Sequence, residues 1–74
     1  MTAVQEKKVI YLTAQQAKVF ELFVAGRNMK EIAMAIGVSY SRVVNILNEI
    51  VIKCGYTSRR ELLINAKDIE VVIK

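Results

Sequence analysis

The chain contains no histidine and no proline, and only one cysteine and three glycines among 74 residues. Each absence removes something. Histidine is the side chain that titrates near neutral pH and the commonest metal ligand. Without it, Cys54 has no partners with which to hold zinc, and a lone cysteine builds no internal disulfide framework. There is one aspartate, Asp68, and no glycine-rich phosphate loop. The inventory offers no histidine base, no exposed cysteine nucleophile and no nucleotide cradle. An enzyme is therefore not expected, nor a cofactor, a metal or a small-molecule ligand. With no proline, nothing marks a hinge or linker, and no internal repeat or low-complexity segment is visible. No apolar run approaches the roughly 20 residues that span a bilayer, and residues 1–8 lack the apolar stretch of a secretory signal. The expected location is the cytoplasm, at the nucleoid, where a reduced cysteine is at ease.

Acidic residues are also few. Seven carboxylates face eleven lysines and arginines, a formal net charge of +4 and a pI near 9.5. The whole excess lies between Gly26 and Arg60. There Arg27, Lys30, Arg42, Lys53, Arg59 and Arg60 are opposed only by Glu31 and Glu49. Such a concentration suits a polyanionic partner. Apolar residues make up 54% of the chain and mean hydropathy is +0.32. A single small domain has too little interior for all of them, so self-association or docking is expected.

Capping signals divide the chain. Thr13 followed by Gln16 forms a capping box, with Leu12 placed to staple onto Ala17. It opens a helix over 14–25 whose inner face is Val19, Phe20 and Phe23, and Gly26 ends it. Asn28 with Glu31 repeats the signature for a helix over 29–36, with Ile32, Ala33 and Ile36 inward. Gly37, Val38 and Ser39 then make a tight turn. Ser39 caps a third helix, 40–54, in which Val43, Leu47, Ile50 and Cys54 recur at helical spacing and form one buried stripe; Gly55 stops it. Ser58 and Glu61 suggest a third capping box and a fourth helix to about residue 67. After it, Leu62, Ala66, Ile69 and Ile73 fit a helical stripe. Val71, Val72 and Ile73 are nonetheless β-branched and favour an extended chain. The extended form is preferred, paired with residues 9–11 or with a second subunit. The expected fold class is all-α, a four-helix domain over 12–68 flanked by an arm (1–11) and a tail (69–74) that can extend.

Two short helices joined by a three-residue turn, the first closed by glycine and the second capped by serine, form a helix-turn-helix. The outer face of the third helix carries Tyr40, Ser41 and Arg42, then Asn45 and Asn48. Asparagine can donate to and accept from adenine at once in the major groove. Lys30 stands where a phosphate can be met, Lys53 can meet one or merely suit the C-terminus of its helix, and Val44 can meet a thymine methyl. Arg59, at a helix start where a cation is disfavoured, calls for an acidic partner such as Glu31. The bland readings are solvated surface for these polar groups and core for Cys54.

The segments Leu12-Thr13, Val19-Phe20, Gly26, Lys30-Glu31-Ile32-Ala33, Ile36-Gly37-Val38-Ser39, Val43, Ile50, Lys53-Cys54-Gly55-Tyr56 and Ser58-Arg59 keep the spacing of a known pattern. In these places the chain resembles the C-terminal DNA-binding domain of the LuxR (GerE-like) family of bacterial transcription regulators. The resemblance covers residues 12–66, and by length the chain is most similar to the stand-alone members. It implies a double-stranded DNA partner, a homodimer, contact with RNA polymerase or another regulator, and a helix-four dimer contact that Leu63, Ile64, Lys67 and Val71 would fit. The chain also departs from the family. Gln15-Gln16 replaces an Arg-Glu pair, and Arg42-Val43-Val44-Asn45-Ile46 replaces Thr-Val-Lys-x-His. Val44 and Ile46 thus take away a cation and a ring donor, which puts the family's usual target in question. With Val51 and Ile52 they suggest an unusually apolar outer side. The competing reading is a protein-interaction module that keeps the fold and modulates another regulator without touching DNA.

Overall fold

The structure, a computed structural model, describes residues 7–74. The start of the expected arm, residues 1–6, lies outside the described residues, and with it most of the stretch read above for a secretory signal. The order of elements is β1 (Lys8–Leu12), α1 (Ala14–Val24), α2 (Met29–Ile36), α3 (Tyr40–Cys54), α4 (Arg59–Ile64), a single 3₁₀ turn (Ala66–Asp68) and β2 (Ile69–Ile73). The all-α expectation is overturned. β1 and β2 pair in parallel, with Ile10 opposite Val71 and Leu12 opposite Ile73, so the domain is mixed. The two strands are the arm and the tail. Each carries alternating or β-branched residues that suit a pleated surface. The helices between them supply the crossover that parallel strands require.

The helix starts follow the capping chemistry. Thr13 Oγ1 accepts from Gln16 N–H and Gln16 Oε1 from Thr13 N–H; Asn28 and Glu31 do the same for α2. Each such cap contributes about 1 kcal/mol. At α4 the box is incomplete. Ser58 Oγ accepts from Glu61 N–H, but the Glu61 carboxylate reaches one residue further back, to the N–H and hydroxyl of Thr57 at 2.7 and 2.5 Å. These two bonds hold its carboxyl below the ordinary glutamate range, the hydroxyl having the larger effect. α4 also ends earlier than expected. Asn65 Nδ2 donates to the carbonyl of Glu61, which occupies a terminal acceptor, and the chain passes through the 3₁₀ turn into β2.

The core is one cluster, with α3 through its middle. Val43, Leu47, Ile50 and Cys54 are buried as the stripe predicts, and Ile46 and Val51 are buried with them. Val19 and Phe20 come from α1, Ile32 and Ala33 from α2 and Leu62 from α4. The sheet adds Ile10, Leu12 and Ile69. Phe23, Ile36, Val38 and Ala17 pack against its edge. Burial and loss of hydration push the Cys54 thiol above its usual range, partly offset by the Lys8 ammonium nearby. Two lysines stitch β1 to the end of α3 in opposite directions. Lys8 Nζ donates to the Cys54 carbonyl and lies 4.6 Å from the centre of the Tyr56 ring. Lys53 Nζ donates to the Tyr11 carbonyl at 2.9 Å. Among the described residues the recorded ion pair is Lys18–Glu21, not the Arg59–Glu31 pair expected. No helix among them is long and apolar enough to cross a membrane.

Candidate nucleic-acid interface

α2 and α3 meet at 107° across Gly37, Val38 and Ser39, inside the range of helix-turn-helix pairs. The turn is built residue by residue. Gly37 adopts φ +72°, a left-handed conformation that side chains resist. There its N–H and that of Val38 both donate to the Ala33 carbonyl, closing α2. Val38 packs against the core and fixes the angle of exit. Ser39 Oγ then accepts from Arg42 N–H at 3.1 Å, which starts α3.

With its inner stripe buried, α3 presents a continuous outer arc. Ser41, Arg42, Asn45, Asn48, Glu49, Ile52 and Lys53 are exposed, while Val44 is half-buried at the border. Tyr40 stands exposed at the helix start. The first turn of α1 supports this arc: Arg42 Nη2 donates to Gln15 Oε1 at 3.3 Å and Gln16 Nε2 to Glu49 Oε1 at 3.4 Å. Gln15 and Gln16 therefore orient side chains on α3.

Lys30 is exposed in the first turn of α2. With Arg27, Asn28, Met29 and Tyr40 it lines a hollow of about 330 Å³ between the end of α1 and the starts of α2 and α3. Two cations, a phenol and the N–H groups of a helix start suit an oxyanion, and a backbone phosphate is one. Arg27 was not singled out from the sequence. Its signal was its place immediately before the Asn28 cap, which puts it beside whatever meets the first turn of α2.

The structure brings Tyr40, Ser41, Arg42, Asn45 and Asn48 to one side, joined to Lys30 through Tyr40. Lys53 is at the far end of the arc, with its ammonium engaged at Tyr11. Ile46 is corrected: it is fully buried and takes no part in the outer surface, and Val51 is only 6% exposed. Of the four apolar residues proposed for the outside, Ile52 alone stands well out, at 74%. Ile46 and Val51 border the stripe on its two sides, and the core is wide enough to cover both. Leu63 and Ile64 of α4 and Lys67 of the 3₁₀ turn are exposed, and Val71 of β2 is half-buried. Among the described residues no group of three or more His, Cys, Asp or Glu could hold a metal ion. No protein-family model, curated protein or solved structure matches the chain.

Proposed function

We propose that the chain is a sequence-specific DNA-binding regulator of LuxR type that inserts α3 into the major groove, as a homodimer on a two-part site in the bacterial nucleoid. The observation that carries this reading is the 107° crossing of α2 and α3 over a glycine-serine turn, which leaves a polar arc on the second helix. A major groove about 12 Å wide admits one helix, and the arc offers Asn45 and Asn48 to base edges. Lys30, Arg27, Tyr40, Ser41 and Arg42 approach phosphates on the same side, and Val44 can meet a thymine methyl. Lys53 reaches phosphate only by giving up its bond to Tyr11. Repression would need nothing more than occupancy; activation would add a contact with RNA polymerase. Selection of bound duplexes from random DNA tests the reading. A reproducible motif is expected, and no enrichment at moderate salt would overturn it.

A second reading has its own observation. Ile52 at 74% exposure, Met34 at 76% and the carboxylate of Glu49 are ill suited to a polyanion. They suit a protein partner that the chain would modulate without touching DNA. With Ile46 and Val51 buried, that surface is smaller than the sequence alone suggests. An unenriched selection together with a tight protein complex abolished by Ile52→Asp would favour it.

A further inference from the structure

β2 is an edge strand whose outer side is uncovered. In a parallel pair the N–H and C=O of one residue point the same way, and successive residues alternate. Lys74 N–H donates to the Leu12 carbonyl at 2.9 Å. The backbones of Glu70, Val72 and Lys74 therefore face β1, and those of Ile69, Val71 and Ile73 face away. Ile69 N–H is already given to the Ala66 carbonyl. The rest of that edge runs beside a largely apolar groove of about 420 Å³, lined by Phe20 and Val24 of α1 and by Val71 and Ile73, with Glu21 and Lys67 also in its wall. Cover on the core-facing side of β2 fades along the strand: Ile69 is buried, Val71 half-buried and Ile73 exposed.

We infer that this edge pairs, antiparallel and centred on Val71, with β2 of a second copy of the chain. The sequence of the strand is complementary to itself in that register. Val71 meets Val71 of the second copy and exchanges N–H···O=C bonds with it. Ile73, the exposed end, lies beside Ile69, the buried end, and its N–H finds the free Ile69 carbonyl. Just beyond the two ends of the pair, Asp68 closes the 3₁₀ turn before β2 and Lys74 follows the strand, so this register brings each Lys74 next to Asp68 of the second copy. Opposite charges brought together there stabilise the contact, and like charges weaken it. A two-fold contact repeats each of these interactions. It turns a two-stranded sheet, marginal by itself, into a continuous four-stranded one, and carries the Ile73 side chains over the grooves. The contact uses the sheet edge, not Leu63 and Ile64 of α4, and it stands whether or not the chain binds DNA.

Light scattering and sedimentation on the full chain test it with two charge variants. The parent should rise with concentration from 8.4 kDa towards twice that mass. Asp68→Lys places lysine against lysine, and Lys74→Asp places aspartate against aspartate. Each should raise the dimer dissociation constant about tenfold. An equimolar mixture of the two should recover the parent's affinity, because every such pair is again Lys–Asp. In the parent, amide exchange at Val71 and Ile73 should slow as concentration rises, a readout that holds even if a variant folds poorly. A monomer at every concentration, variants that dimerise like the parent, a mixture that fails to recover, or a dimer lost with Ile64→Asp while Val71 and Ile73 exchange freely would each overturn the inference.

Discussion

Asn45 sits at the middle of the outer arc of α3, exposed and, among the described residues, with no hydrogen bond to satisfy its side-chain amide. Asparagine is a mediocre helix former, so nothing in the helix itself favours it there. Bidentate pairing to adenine does. Asn45→Ala should cost about 1–3 kcal/mol of binding and relax specificity at one base pair, measured by titrating a selected duplex and its single-base variants. Equal loss on every sequence would remove Asn45 from base reading. The two lysines proposed for phosphate contact should behave differently from each other. Lys30 is exposed and among the described residues forms no ion pair, so Lys30→Ala should reduce the salt slope of binding by about one unit and leave stability unchanged. The Lys53 ammonium is already spoken for by the Tyr11 carbonyl. Lys53→Met should lower stability by about 0.5–1.5 kcal/mol in urea titration with a smaller change in salt slope. Equal slope changes for the two would show that Lys53 leaves Tyr11 for DNA.

At the scale of elements, the helices were legible because their ends are local chemistry. Thr13, Asn28 and Ser39 announce starts, and Gly37 and Gly55 announce stops, through contacts only a few residues apart. The stripe Val43, Leu47, Ile50 and Cys54 could be read for the same reason. The status of Ile46 and Val51 could not. Each lies beside the stripe, and only the width of the opposing core decides whether such a residue is covered. The candidate site inherits this limit: Asn45 and Asn48 were visible as outer residues, whereas Arg27 comes from the α1–α2 connection and the supports Gln15 and Gln16 from α1. At Gly37 an added Cβ would meet nothing within 4 Å, so Gly37→Ala should cost only the left-handed backbone penalty, about 1–2 kcal/mol, and Gly37→Asn less. A larger loss would mean that the turn is held by packing rather than by backbone conformation. Glu61 has a lowered pKa in the folded chain through Thr57. Its contribution is therefore full above the unfolded glutamate value and is lost as pH falls through the folded one. Glu61→Gln should be less stable than the parent near pH 7, and the two melting curves should converge in acid. A gap that persists at pH 2 would assign the effect to something other than the carboxylate.

The whole molecule differs from the all-α expectation because its two ends are one element. β1 and β2 are separated by every helix among the described residues, and the β-branched tail points to residues 9–11 or to a second subunit as its partner without deciding between them. Long-range pairing of this kind is set by what the finished core leaves uncovered. Ile10, Leu12 and Ile69 then become core residues, and the lysine stitches at Cys54 and Tyr11 tie the sheet to α3. In a chain of 74 residues, where a single core supplies no more than roughly 3–5 kcal/mol, the loss of one strand is not a trimming of the surface. Ending the chain after Asp68 removes β2, uncovers one side of β1 and opens the core beside Ile10. The truncated chain should lose its cooperative thermal transition, followed by far-ultraviolet circular dichroism, and its helical signal at 25 °C should fall well below that of the parent. A sharp transition within a few degrees of the parent's would mean instead that the four helices form a self-sufficient domain, with the sheet only an addition at its edge. The position of α3 would then owe nothing to the strands, and the two lysines would be free for other partners.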